Sequence, residues 1–436
     1  MAQFCPADLL LEIVKKQKQG QTAGIYSICS AHRSVLRAAM REAAQTGETI
    51  LIEATCNQVN QFGGYTGMTP QDFAAYVRSI AQELDFPVDR IILGGDHLGI
   101  NPWQKEPIAA ALAKAVTMVG DFVRAGFTKI HLDMSMPAAD DLVLPLSGEI
   151  IAERSAILCE AAEKAAAELG AVKPVYIIGS EVPPPGGAKS GEAELAVTSA
   201  EDALATIELF RKVFSDHGLD EAFKRTVALV VQPGVEFGDH EIHDYDREKA
   251  IRLSEAIRSV PNMVYEAHST DYQTADALKA LVADHFAILK VGPELTFAYR
   301  EALFALALME EAWVGERLGE KTSRVLDVVD DTMKAFPENW LKFYGDDPAE
   351  QAFSRKYSLS DRVRYYWNQP DIQRAVDSLL RNIAENPLPY PLLSQFLPEE
   401  ARLIREGKLA NTPEDLLEAH IGAVIRRYRQ SCGANS

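Results

Sequence analysis

Eight short runs rich in Val, Ile, Leu and Tyr alternate with segments of helical composition, and this rhythm admits few folds. The runs span residues 25–29, 49–54, 90–93, 129–132, 175–178, 227–231, 263–266 and 287–291. They read as strands covered on both faces, as parallel sheets require. The intervening segments, 34–44, 70–84, 107–124, 148–168, 199–216, 246–259, 274–283 and 294–308, read as helices. Thr69-Pro70 and Asp246 supply plausible caps. Alternating βα units imply a parallel sheet, and eight within roughly 290 residues predict an α/β fold of the (β/α)8 TIM-barrel type. An open doubly wound sheet would want GxGxxG after the first strand, and none is there.

The rhythm stops near Ala312. Beyond it, helical patterns are broken by Pro337, Pro370, Pro387, Pro389, Pro391 and Pro398. The expected division is therefore a barrel with an N-terminal amphipathic helix over 1–311 and a mainly helical C-terminal extension over 312–436. The extension is expected to pack on the barrel, form a subunit contact or cover the active site.

The net charge of −19 argues against broad nucleic-acid binding, so an anionic ligand must meet a local positive site. No membrane span and no signal peptide are expected. Cys5, Cys29, Cys56, Cys159 and Cys432 are scattered without CxxC spacing, which suits reduced thiols in a cytoplasmic protein. A homo-oligomer is expected.

Barrels of this kind carry their active sites at the carboxyl ends of the strands. There the sequence offers His32, Glu53, Asp96-His97, His131, Asp133, Glu181, Gln232, Glu266, His268 and Lys290. His97, Glu181, Gln232 and His268, from four different strands, are the expected ligands of a divalent metal, zinc foremost and manganese as the alternative. The metal would act as a Lewis acid on a carbonyl or enediolate. Asp96 would move a proton to and from a substrate hydroxyl, and Glu181 is the second expected catalytic carboxylate. His131 is read mainly as a core polar group. His240 and His243 fall in an acidic loop, and His217, His285 and His420 are expected to be structural.

Anion contacts are expected from three places. Gly63 and Gly64 lie in a glycine-rich loop whose N–H groups could face an anion, or whose glycines could merely serve positive φ. Ser269, Asp271, Lys290 and Gly292 follow the last two strands, where barrels often bind phosphate. Arg362 sits in a basic, aromatic stretch, residues 355–367, which could clamp a phosphate or form a solvated face.

The strings GGDHLGINPW, HLDMS, GSEVPPPGG, VVQPGVEFG, YEAHSTDYQ, ILKVGPELTFAYREALFAL and YSLSDRVRYYW resemble the GatZ/KbaZ family, the Z subunits associated with D-tagatose-1,6-bisphosphate aldolase. That family is similar to class II, metal-dependent ketose-bisphosphate aldolases. The resemblance implies that Asp96 is the proton carrier, that His97 and His268 are zinc ligands, and that Lys290-Val291-Gly292 lies at a phosphate site. It departs at Gln232-Pro233-Gly234, where those aldolases have His-Gly. Two functions are implied: a D-tagatose 6-phosphate 4-epimerase working by retro-aldol and aldol steps on a ketose phosphate, or a non-catalytic partner of a class II aldolase subunit. A tagatose-6-phosphate kinase is a third label in the family, but the sequence has no GxxxxGK[ST] loop.

Overall fold

A computed structural model describes residues 6–179, 195–318 and 321–433. Eight parallel strands close into a barrel: β1 (Ile25–Ile28), β2 (Ile50–Thr55), β3 (Ile91–Leu98), β4 (Lys129–Leu132), β5 (Val175–Ile178), β6 (Thr226–Val231), β7 (Val264–Ala267) and β8 (Phe286–Val291). They are neighbours in chain order, and β8 pairs with β1. The predicted barrel is thus the observed one.

The barrel interior is built in layers. Towards the amino ends of the strands, Ile25, Leu51, Ile92, Val175 and Ile288 form an aliphatic cluster. The N-terminal helix Asp8–Lys18 plugs it with Leu10, Ile13 and Val14. Gln17 anchors the plug, donating to the Val282 carbonyl at 2.9 Å, with its Oε1 2.7 Å from His285 Nδ1. Two residues further along the strands, the side-chain period of two brings up Glu53, Gly94, Lys129, Glu266 and Lys290 in place of aliphatics.

Strand β3 runs five residues beyond its expected end at Leu93. Gly94 and Gly95 do not stop it, because pairing with β2 continues through Glu53↔Gly94 and Thr55↔Asp96. A Cβ on Gly94 would lie 2.7 Å from Glu53 Cγ, so the missing side chain makes room for that carboxylate. Gly94→Ala is expected to destabilise the fold by about 1–3 kcal/mol through overpacking. Urea unfolding measures this, and an unchanged midpoint would show that Glu53 moves aside freely.

The C-terminal extension packs on the barrel and covers its mouth. Four of its helices, Pro348–Tyr357, Pro370–Glu385, Pro398–Arg405 and Pro413–Ser431, begin at a proline, which suits the first helical position. The helix Pro293–Leu318 runs unbroken through the expected 311/312 division. Pro413–Ser431 lies against Arg33–Thr46 and Pro293–Leu318. Arg37 Nε and Arg41 Nε lie 2.5 and 2.8 Å from the Glu418 carboxylate, and the Tyr428 hydroxyl donates to the Thr270 carbonyl at 2.6 Å. Over the mouth, the Ser358 and Ser360 hydroxyls donate to Asp239 Oδ1 at 2.6 and 2.7 Å. The Tyr272 hydroxyl donates to the Leu359 carbonyl at 2.6 Å.

The histidines expected to be structural have such partners. His217 lies between Glu153 and Glu160, and His420 between Glu301 and Glu400. Burial works against the charged form of His420, but the two carboxylates outweigh it and raise its pKa to about 9. A pKa raised on folding adds stability that is complete below the unfolded value, about 6.5, and disappears as pH rises through the folded one. Stability should therefore fall between these values in the native chain and fall less in His420→Gln. Melting curves at pH 6 and pH 9.5 compare the two; equal slopes would refute the coupling. His240 and His243 are exposed, the latter in a short antiparallel ribbon, Glu236–Phe237 with Ile242–His243.

Among the described residues Cys29, Cys56, Cys159 and Cys432 are free thiols, and no helix is long and apolar enough to cross a membrane.

Candidate active site

A chain of buried ion pairs crosses the barrel axis. Lys129 Nζ lies 2.5 Å from Glu53 Oε1 and 2.7 Å from Glu266 Oε2, with all three side chains sealed from solvent. Lys290 Nζ pairs with Glu53 Oε2 and lies 2.9 Å from Asp96 Oδ1. Burial opposes the charge on Lys290, yet Asp96 and the surrounding acidic groups raise its pKa well above the usual lysine value. For Asp96, burial alone would favour the neutral acid; Lys290, His97 and His131 reverse this and hold it well below the usual carboxylate range.

Three histidines converge above this layer. His97, His131 and His268, together with Asp96, each offer a ligating atom within 4.8 Å of the others. Every ring has one nitrogen held from behind. His97 Nδ1 lies 2.7 Å from Asp133 Oδ2, His131 Nε2 lies 2.8 Å from the Gly179 carbonyl, and His268 Nε2 lies 2.9 Å from Glu266 Oε1. A carbonyl or carboxylate can only accept, so these nitrogens carry the protons. His97 Nε2 and His268 Nδ1 remain for a ligand, whereas His131 Nδ1 already lies 3.1 Å from the His97 N–H and 3.0 Å from Asp96 Oδ1. Metal-binding histidines are oriented in this way. His97 Nε2 is buried with no hydrogen-bond partner. Burial holds the His268 pKa down at about 4, so its ring is neutral, as a metal ligand must be.

Local backbone geometry sets the cluster. The β3–β4 register shifts between Gly95 and Leu98, and His97 sits at φ 46°. A left-handed, non-glycine residue of this kind costs on the order of 1–3 kcal/mol and persists only when its surroundings fix it. Asp133 fixes the ring, and the His97 N–H lies 3.1 Å from His131 Nδ1.

The expected ligand set is partly rearranged. His97 and His268 come together as expected, whereas Glu181 lies outside the described residues. The Gln232 amide oxygen, expected to ligate, instead accepts from the N–H groups of Gly234 and Val235 at 2.7 and 2.9 Å. Both its lone pairs are used to close the turn after β6. The third imidazole is His131 of β4, read from sequence mainly as core. Its signal was a period of two: Lys129 and His131 face the barrel axis from one strand.

The expected anion contacts change more. The N–H groups of Gly63 and Gly64 point back into their own loop, to Asn60 O at 2.8 Å and Asn60 Oδ1 at 3.3 Å. Their φ values are 100° and 54°, and a Cβ on Gly64 would lie 2.4 Å from the Gln58 carbonyl. The glycines serve the turn and cradle no anion. Lys290 points down the barrel axis to Glu53 and Asp96, so its charge is already matched. Asp271 Oδ1 accepts from the N–H groups of Gly292 and Glu294 at 2.9 and 2.8 Å. Asp271 therefore closes the start of helix Pro293–Leu318 and occupies the Gly292 N–H. Burial, then the nearby Glu294, raises its pKa to about 7.

A cavity of about 540 Å³ opens above the histidines, lined by His97, His268, Ser269 and Lys290 from the barrel and by Arg362 and Arg364 from the extension. Arg362 Nη1 donates to the Asn339 carbonyl at 3.0 Å, and its guanidinium lies over the Phe343 ring. The basic stretch, for which sequence left a phosphate clamp, an interface and a solvated face open, lines the mouth of the barrel with Arg362 and Arg364.

Residues 10–433 match the family described as D-tagatose-1,6-bisphosphate aldolase subunit GatZ/KbaZ-like. The chain belongs to the GatZ/KbaZ-like family. GatZ proteins of Salmonella heidelberg (strain SL476) and Salmonella agona (strain SL483), described as D-tagatose-1,6-bisphosphate aldolase subunits, are each 49% identical to it over 97% of this chain and 98% of their own. A solved relative from Sinorhizobium meliloti 1021, described as a probable tagatose 6 phosphate kinase, superposes with a TM-score of 0.86 at 46% identity. It covers 94% of this chain and 100% of its own. Membership of the GatZ/KbaZ-like family thus extends across barrel and extension alike.

Proposed function

We propose that the chain holds a divalent metal in the cluster of His97, His268, His131 and Asp96, with His97 and His268 as its free imidazoles, and acts in aldol chemistry on a ketose phosphate. The observation that carries this is the convergence of these three imidazoles and Asp96 on the buried His97 Nε2, which lacks a partner. Charge supports it. The buried network holds four carboxylates, Glu53, Asp96, Asp133 and Glu266, and two lysines, Lys129 and Lys290, which leaves an excess of two negative charges when the imidazoles are neutral. A divalent cation balances them. Bound there, it supplies Lewis-acid polarisation of the substrate carbonyl.

The protein's own groups account for the proton. Asp96, held ionised chiefly by Lys290 and His97, takes the proton of the C4 hydroxyl as the C3–C4 bond breaks. The electron pair stays on C3, conjugated to the C2 carbonyl, and C4 becomes an aldehyde. Re-addition to the other aldehyde face with return of the proton inverts C4, which is epimerisation; release of the aldehyde instead is aldolase cleavage. The extension over the mouth keeps water from the carbanion.

The relatives' names favour a second reading over a free-standing epimerase: a subunit that works with, or supports, a separate class II aldolase. One experiment separates them. The chain alone, with zinc or manganese, is given D-tagatose 6-phosphate and D-fructose 6-phosphate, and products are followed by NMR. Metal-dependent interconversion supports the epimerase. Activity only after addition of a class II aldolase supports the subunit. A metal titration that finds no saturable site refutes the metal centre itself.

A further inference from the structure

A second chamber of about 420 Å³ adjoins the mouth cavity, sharing Cys29, Gln58, Tyr65, Gly292 and Arg364 with it. It lies between the ends of β1 and β8 and the extension. In a chain of net charge −19, no Asp or Glu lines it, and Arg364 is its sole formal charge. Arg364 pairs with no carboxylate among the described residues. Its partners are the carbonyls of Ser360 and Asp361 and the Tyr365 hydroxyl, 2.9 Å from Nη2. Trp367 also lines the chamber, almost fully buried, and its indole N–H has no acceptor. Ser30 adds a hydroxyl to the wall, whereas the Thr66 hydroxyl is already donated to the Gln58 carbonyl at 2.7 Å. Burial holds the pKa of His32, on the same wall, down at about 4, so that ring adds no charge.

A guanidinium with no carboxylate in contact, an indole donor that lacks a partner and the Ser30 hydroxyl describe a tetrahedral oxyanion site. We infer that this chamber binds the phosphate of the substrate, through Arg364 and the Trp367 N–H, while the carbon chain passes Tyr65 and Gln58 towards the histidines. The inference rests on the sugar-phosphate reading above for its substrate. It replaces Gly63, Gly64, Asp271, Lys290 and Gly292, whose polar groups are engaged elsewhere, with residues of the extension. It also gives the extension a part in binding beyond covering the mouth.

The test needs neither metal nor turnover. Inorganic phosphate is titrated into the chelator-treated full chain by calorimetry. Saturable binding is expected, weakened about tenfold to a hundredfold in Arg364→Gln and unchanged in His97→Ala. Acetate should bind far more weakly. Absence of saturable binding, equal affinity in a folded Arg364→Gln, or acetate binding as tight as phosphate would overturn the assignment. If Arg364→Gln does not fold, Trp367→Phe decides: weakened binding supports the site and unchanged binding refutes it. Phosphate binding without a metal site would leave this chamber standing and remove the aldol reading. A metal site without phosphate binding would do the reverse.

Discussion

Lys129→Met is expected to lower stability by about 3–5 kcal/mol, the range for breaking a buried ion pair by removing one partner. Methionine fills nearly the same volume, so the loss is electrostatic. Lys129 Nζ is the bridge between Glu53 and Glu266, and none of the three side chains reaches solvent. Without the lysine, Glu266 Oε2 and Glu53 Oε1 are left unpaired inside the barrel. Burial opposes the charge on Glu266, and it is mainly Lys129, then Lys290, that pulls its pKa below the usual carboxylate range. Denaturant unfolding measures the change. A triple variant with Glu53→Gln and Glu266→Gln should recover much of the loss, because the unpaired charges are then gone. A loss below about 1 kcal/mol in the single variant, the scale of an exposed pair, would show that water reaches this layer.

His97→Ala is expected to abolish metal binding while leaving the barrel folded. His97 contributes the unpartnered Nε2 and the Asp133 contact. Its loss should weaken metal affinity by more than about a hundredfold, since supporting residues alone are worth about 10–100-fold. Asp133→Asn should fall in that smaller range, because it removes only the carboxylate that orients the ring. Alanine keeps the left-handed strain at position 97, so Gly at this position should be more stable than Ala. Zinc titration with a competing chelator reads both affinities. Equal affinity in His97→Ala and the native chain would move the metal elsewhere. Gln232→Ala should leave affinity nearly unchanged, since its oxygen is bound to Gly234 and Val235.

The alternation of apolar runs and helices was enough to determine the barrel, its strand order and the end that carries the chemistry. Parallel strands buried on both faces leave little other choice of fold. The Asp96-His97 pair and His268 were legible for the same reason: each sits at a strand end, and strand ends converge. What tertiary structure decided was where individual atoms are committed. Lys290 and Gly292 look like a phosphate site in sequence, yet a side chain directed along the barrel axis meets Glu53, and a helix start meets Asp271. His131 was legible as a polar group pointing into the barrel, but not the partners it finds there, Asp96, the His97 N–H and the Gly179 carbonyl. The same holds for Lys129 and Glu266, whose charges only make sense as a layer drawn from different strands. Arg364 lies 96 residues beyond His268, the nearest histidine of the cluster in sequence, and reaches the mouth only because Ser358, Ser360 and Asp361 bind barrel residues Asp239, Thr296 and Arg300. Periodicity fixes which way a side chain faces; which partner it finds there depends on strand register and on the closure of the barrel.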